Sequence, residues 1–343
     1  MTKNPFSLNF GIEPSRLISR ESQIGEIVQT FSSETPSSYI YMITGVRGSG
    51  KTVTMTSAAN RLKDMADWIV IPLNPNRDLL QALAANLYEH PLLKPAFTKA
   101  EFGFSMIVTG SVRTEGPSPD VEVQIRKMLS VVRTMKKRIL ITVDEVVNNE
   151  NIRIFASSYQ MFLSEKFPLF MLMTGLYEQI RNLQNEKSLT FLYRAPKIEL
   201  KPLSMNGMAN NYQEVFAITE AEAMEMARFT MGYSYAFQVL GYLKFRTDAS
   251  LRQIIPEFDE IMEEYSYEKI WEEMSARDRE IAVLLARNGK MKVRDIIKET
   301  GLTSSSFSTY RRRLSKGGII SVQEYGYCDL CLPRFKEIIL TFI

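Results

Sequence analysis

Between residues 38 and 200 short apolar runs recur, each rich in β-branched or aromatic residues: Tyr39 to Thr44 (YIYMIT), Trp68 to Leu73 (WIVIPL), Ile139 to Val143 (ILITV), Pro168 to Met173 (PLFMLM) and the weaker Lys197 to Leu200 (KIEL). They are continuous, not alternating, as strands covered on both faces should be, and helical patterns fill the intervals. The succession predicts an α/β fold with a parallel sheet. One intervening helix is marked in detail, with Ser118 at the N-cap, Pro119 at the first helical position, and Val121, Ile125, Met128, Val132 and Met135 at spacings of three and four. Thr109 to Pro119 reads as an exposed loop leading into it.

From about residue 204 the strand signals vanish. Thr219-Glu220-Ala221-Glu222 fits a capping box, and Met231-Gly232-Tyr233-Ser234 reads as a helix end followed by a new N-cap, so a small helical subdomain is predicted over roughly 204 to 250. Further on, Ser275-Ala276-Arg277-Asp278 opens a helix with Ile281, Leu284 and Leu285 on one face, and Val293, Ile296 and Ile297 form a second. Gly301-Leu302 turns the chain, and Thr303 caps a third helix whose Phe307, Tyr310 and Leu314 face inward. Two helices on a short glycine turn, then strands at Gly317 to Val322 and Tyr327 to Leu332, predict a winged helix-turn-helix.

The strongest chemical signal is Gly45-Val46-Arg47-Gly48-Ser49-Gly50-Lys51-Thr52, which satisfies G-x-x-x-x-G-K-[ST] between a strand and the helix-compatible run Val53 to Asp67. Glycines let the backbone curl so that successive N–H groups, at Gly45, Gly48, Ser49 and Gly50 among others, face phosphate oxygens, and the helix adds the positive end of its dipole. Lys51 would reach the β- and γ-phosphates of ATP, and the Thr52 hydroxyl would ligate Mg²⁺. The strand Ile139 to Val143 ends in Asp144-Glu145. Its C-terminal edge is where ligands of open α/β sheets collect, so Asp144 is the candidate for the Mg²⁺ shell and Glu145 for the general base that activates water.

These motifs resemble the AAA+ ATPases, in particular the replication-initiator branch and the archaeal-type ATPases near the signal-transduction (STAND) NTPases. The resemblance implies a five-stranded parallel sheet with the P-loop strand central, a helical lid, a C-terminal winged helix, and binding of ATP or ADP with Mg²⁺. The segment Phe10 to Glu21 is similar to the family's stretch ahead of the P-loop, which implies that Pro14 and Ile18 flank the adenine; Ser19 stands where the family has glycine, and Arg20 follows it. Thr174, at the end of the fourth strand, matches the sensor 1 position and equally suits a helix N-cap. Arg194 matches an arginine that acts on the γ-phosphate of a neighbouring subunit, which implies a nucleotide-dependent homo-oligomer; a solvated arginine is the other reading. The lid reads Gly232-Tyr233-Ser234-Tyr235-Ala236-Phe237-Gln238, without the initiator branch's arginine, so slow hydrolysis is predicted. The implied division is 1–203 for the ATPase core, 204–265 for lid and connector, and 266–343 for the winged helix.

Charge separates the last two regions. Residues 251 to 286 hold ten Asp or Glu against four Lys or Arg, and residues 287 to 316 hold nine Lys or Arg against two acidic residues. The basic stretch predicts a double-stranded DNA surface built from Lys290, Lys292, Arg294, Arg311, Arg312, Arg313 and Lys316, with Ser304 to Ser306 at the N-terminus of the recognition helix. The alternative is a STAND-like signalling switch whose winged helix binds a protein partner. Over the whole chain of 343 residues the net charge is only +3, which excludes a histone-like protein. Two cysteines cannot form a disulfide framework, and Cys328-Asp329-Leu330-Cys331, lacking a second pair, reads as a wing strand and not a zinc site. His90, the only histidine, falls at a helix end. The apolar run Phe167 to Met173 is far shorter than the ~20 residues of a membrane helix, and Met1 to Phe10 lacks a signal-peptide pattern, so a cytoplasmic protein without membrane contact is predicted.

Overall fold

The computed structural model describes residues 3–9, 15–16, 18, 20–99 and 120–343. Pro14, Ser19, Ser118, Pro119 and the stretch 109–119 lie outside the described residues. The first region runs α1 (Glu21–Ser32), β1 (Ile40–Thr44), α2 (Lys51–Lys63), β2 (Trp68–Leu73), α3 (Leu79–Glu89), α4 (Lys94–Lys99), α5 (Val121–Thr134), β3 (Arg138–Val143), α6 (Glu150–Ser164), β4 (Leu169–Gly175), α7 (Tyr177–Gln184), a 3₁₀ helix (Lys187–Arg194) and β5 (Lys197–Glu199). All five strands are parallel, in the order β2-β3-β4-β1-β5.

The unbroken apolar runs have a direct cause. Along β3, Ile139, Ile141 and Val143 pack into one face with Leu83 and Met128, while Leu140 enters the other with Phe31 and Leu62. Side chains alternate in direction, but both directions lead into a core. Pro72 is tolerated because β2 is an edge strand. The start of α5 differs from the sequence expectation: Asp120 is the N-cap, accepting a hydrogen bond from the Glu122 N–H at 2.9 Å. A carboxylate satisfies that orphan donor as well as a serine hydroxyl does.

The lid follows as α8 (Met205–Phe216), α9 (Glu220–Phe229), α10 (Ser234–Thr247) and α11 (Leu251–Met262), and a π-helical turn (Glu263–Tyr267) leads into α12 (Glu268–Glu273). Thr219 and Glu222 form the expected capping box on α9. Ser234 is not an N-cap: Tyr233 occupies that position, and Ser234 is the first residue of α10. The chain ends with α13 (Ala276–Asn288), β6 (Met291–Lys292), α14 (Val293–Thr300), α15 (Ser304–Lys316), β7 (Ile320–Ser321), β8 (Tyr327–Leu330) and α16 (Phe335–Ile339). Its three short strands form an antiparallel sheet, β6-β8-β7. Ser275 and Thr303 cap α13 and α15. One continuous buried cluster runs from Phe6 through Tyr212, Phe237 and Phe258 of the lid to Ile281, Phe307 and Phe335.

Candidate functional site

The strand register creates the site. Ile43 pairs with Thr174 and Thr44 with Gly175, while Val143 pairs with Met173, so β1, β3 and β4 end level with one another. Gly45, Asp144 and Thr174 therefore meet at one sheet edge. Gly48 and Gly50 take left-handed φ values of 75° and 89°, which glycine adopts without strain, and Gly50 is the N-cap of α2. A Cβ on Gly48 would lie 2.3 Å from the Tyr233 hydroxyl.

Thr52 donates its hydroxyl to Asp144 Oδ2 at 2.8 Å. Thr174, fully buried, donates to Asp144 Oδ1 and accepts the Glu145 N–H at 3.1 Å. It is no N-cap, since β4 continues through Gly175 and Leu176 precedes α7. Glu145 holds a left-handed φ of 52°, a strained conformation for a side-chain-bearing residue, and its carboxylate projects outward with 69% of the side chain exposed. Lys51 Nζ donates to the carbonyls of Gly45 and Val46 at 3.1 and 3.0 Å. Burial lowers its pKa to about 8, against the opposing pull of Glu145 and Asp144.

The lid grips the outside of the P-loop. Tyr233 donates its hydroxyl to the Arg47 carbonyl, the Tyr235 N–H to Gly48 O at 3.1 Å, and the Ser234 hydroxyl to Ser49 O at 3.0 Å. Three successive carbonyls are thus satisfied by three successive lid residues. Arg20 joins them, donating to Ser49 O at 3.0 Å and Lys201 O at 2.9 Å, and burial lowers its pKa to about 10. Sequence reasoning missed this clamp. Its only signal was Tyr-Ser-Tyr after Gly232, where a positive φ of 78° and the closeness of Pro202 demand glycine.

A cavity of about 260 Å³ opens between sheet edge and lid. Its lining includes Gly48, Gly50, Lys51, Thr52 and Glu145 together with the apolar Ile18, Leu203 and Phe237. Arg47 also lines it, with Nη2 2.9 Å from Glu273 and Nη1 3.7 Å from Glu145. Arg194 is exposed at the end of the 3₁₀ helix and does not line the cavity. His90 is the C-cap of α3.

The basic C-terminal residues do not form one open face. Arg313 is held by Asp278, whose side chain is only 5% exposed, and by the Ser275 hydroxyl at 2.7 Å. Lys316 reaches Glu199 on β5 at 2.6 Å, and Lys290 pairs with Glu324. Arg311 Nε is buried without a partner. Lys292 lies over the Tyr327 ring, exposed Arg294 pairs with Asp295 at 3.2 Å, and Arg312 is exposed. Consecutive helical positions point 100° apart, so Arg311, Arg312 and Arg313 face different ways, and Arg313 turns to Asp278 of the acidic 251–286 stretch. Ser304 to Ser306 are exposed. Among the described residues no helix is long and apolar enough to cross a membrane.

The parallel sheet of five strands, the glycine-cradled lysine and the strand-end carboxylate hydrogen-bonded to the helix threonine define a P-loop NTPase fold. The chain belongs to the family of ATPase domains predominantly from Archaea, whose model matches residues 17–189. Residues 264–339 match a domain of unknown function, DUF8462. Among solved structures, the Walker-type ATPase PABY2304 of Pyrococcus abyssi is similar at a TM-score of 0.67 and 14% identity, over 94% of this chain and 96% of that one. The ORC2 protein of Aeropyrum pernix, in ADPNP-ADP complexes, is similar at a TM-score of 0.62 and 11% identity, over 97% and 96%. No curated protein matches the sequence.

Proposed function

We propose that this protein is an AAA+-type ATPase that binds Mg-ATP, hydrolyses it slowly, and uses its nucleotide state to control a C-terminal winged helix that contacts double-stranded DNA. The observation that carries the first part is the joining of Thr52, Asp144 and Thr174 through one carboxylate, with Glu145 beside it at the cavity. ATP places its phosphates on Gly45, Gly48, Ser49, Gly50 and Lys51, and Ile18 and Pro14 flank the adenine. Two hard oxygen donors suit Mg²⁺, which needs few protein ligands beside phosphates, so Thr52 and Asp144 would hold it. When bound, Mg²⁺ offsets charge on the β- and γ-phosphates.

Glu145 takes a proton from water, the water oxygen bonds to the γ-phosphorus, and the bond to the bridging oxygen breaks with its electron pair left on ADP. Thr174 orients Asp144 and the Glu145 backbone. Arg194 serves a neighbouring subunit of a homo-oligomer. The lack of an arginine in the stretch Gly232 to Gln238 supports a single-turnover rate below about 10 per second, the enzyme median. The functional division is 1–203, 204–265 and 266–343.

The DNA reading rests on Arg294, Arg312, Lys292 and the exposed serines of α15, with Lys290 and Lys316 available if their ion pairs open and Arg311 if its side chain turns outward. Binding of the purified protein to duplex DNA, with and without ATP across a salt series, tests it. Affinity should fall steeply with salt and differ between nucleotide states. Negligible binding at low salt in both states leaves the STAND-like switch with a protein partner, which the internal pairing of Arg313, Lys290 and Lys316 favours.

A further inference from the structure

Arg47 occupies a position that the site described so far does not use. It belongs to the P-loop, lines the cavity, and lies between two carboxylates on different regions: Glu145 after β3 and Glu273 at the end of α12. Its side chain is about three-quarters covered, yet its buried Nε has no hydrogen-bond partner. An orphaned guanidinium nitrogen in a covered site is costly, and a ligand oxygen could relieve that cost. Among the described residues three cations line the cavity, Arg20, Arg47 and Lys51. Arg20 is committed to backbone carbonyls and Lys51 belongs to the phosphate loop, so Arg47 is the lining arginine held by side-chain carboxylates alone.

We infer that Arg47 is the arginine, supplied by the chain itself, that contacts the terminal phosphate of ATP, and that Glu273 competes for it in the nucleotide-free protein. The inference rests on the proposed ATPase reading and deepens it. As Glu145 accepts the water proton and the bond from γ-phosphorus to the bridging oxygen breaks, negative charge moves onto the departing ADP and the phosphoryl oxygens. Arg47 neutralises that charge from within the loop. Its transfer to phosphate also releases Glu145 to act as a base and frees Glu273, the last residue of α12, two positions before the α13 cap Ser275. The C-terminal region touches the same loop once more, for a Cβ added to Gly318 would lie 3.0 Å from the Val46 Cβ. Loss of the Arg47 to Glu273 contact therefore reports a bound terminal phosphate to the C-terminal region.

The test uses the full chain and its variants Arg47→Ala, Arg47→Lys and Glu273→Gln. Calorimetry measures affinity for Mg-ADP and for a non-hydrolysable ATP analogue, and single-turnover assays measure hydrolysis. Arg47→Ala should slow hydrolysis by about 10² to 10³ and weaken the analogue about tenfold, with ADP affinity held within about twofold. Arg47→Lys should recover analogue affinity in part but little rate, since an ammonium lacks the planar fork. Glu273→Gln should strengthen analogue binding several-fold and leave ADP unchanged. The inference is overturned if Arg47→Ala hydrolyses ATP at the wild-type rate, or weakens ADP and analogue equally. Should Arg47→Ala not fold, the lysine variant and Glu273→Gln decide by the same comparison. A wild-type protein that binds no nucleotide overturns the ATPase reading and this inference together.

Discussion

The P-loop edge of the sheet and the basic α14–α15 region were both prominent in the sequence, and the structure treats them differently. At the sheet edge the polar groups named by motif converge, apart from the outward Glu145 carboxylate: Thr52 and Thr174 meet on Asp144, and Lys51 lies in the loop beside them. In the basic region seven cations disperse, and Arg313, Lys316 and Lys290 are engaged by acidic residues of other elements. The difference lies in what each pattern constrains. A P-loop motif encodes backbone conformation, whereas a run of lysines and arginines encodes only charge, and the direction of each charge depends on the helix face and its neighbours.

The comparison breaks most readily at the sheet edge. Glu145→Gln should reduce turnover by about 10² to 10⁴ while retaining bound ATP, because it preserves shape and removes the base. Filter-binding of trapped nucleotide beside a steady-state assay checks this, and wild-type turnover would show that another group activates water. In the basic region Arg313→Ala should destabilise the protein by about 1–3 kcal/mol, since it leaves the buried Asp278 carboxylate short of a partner. Arg312→Ala should leave stability within about 0.5 kcal/mol and, if the surface meets DNA, reduce the salt slope of binding by about 1. Thermal unfolding and DNA titration of the two variants separate an internal arginine from a surface one.

A smaller effect comes from Lys51, whose folded pKa of about 8 lies below the ordinary 10.5. Below pH 8 the ammonium is charged and ready for phosphate; above it the nucleotide-free protein must take up a proton on binding. ATP affinity should thus fall about tenfold per unit between about pH 8 and the pKa of the bound form, with proton uptake visible as a buffer-dependent calorimetric enthalpy. A flat affinity from pH 7 to 9.5 contradicts it. A modest effect is expected for Tyr233→Phe, which removes the bond to the Arg47 carbonyl and the 2.8 Å contact with Ser266, and should cost about 1 kcal/mol in chemical denaturation.

The sequence by itself determined the five strands to within two residues, the caps at Thr219, Ser275 and Thr303, and the loop glycines. These follow from interactions local in the chain: an unbroken apolar run along a strand covered on both faces, a side chain reaching a backbone N–H two or three residues on, a glycine where φ is positive. The order in which the strands lie side by side, the clamp of Tyr233, Ser234 and Tyr235 on the P-loop, and the sharing of Arg47 between Glu145 and Glu273 were decided only by tertiary structure. Arg47 and Glu273 are 226 positions apart, and Tyr233 is 186 from Arg47. No periodicity or motif spans such distances, because the partners are selected by the packing of the lid and the C-terminal elements into one continuous core and against the sheet edge, a property of the whole chain at once.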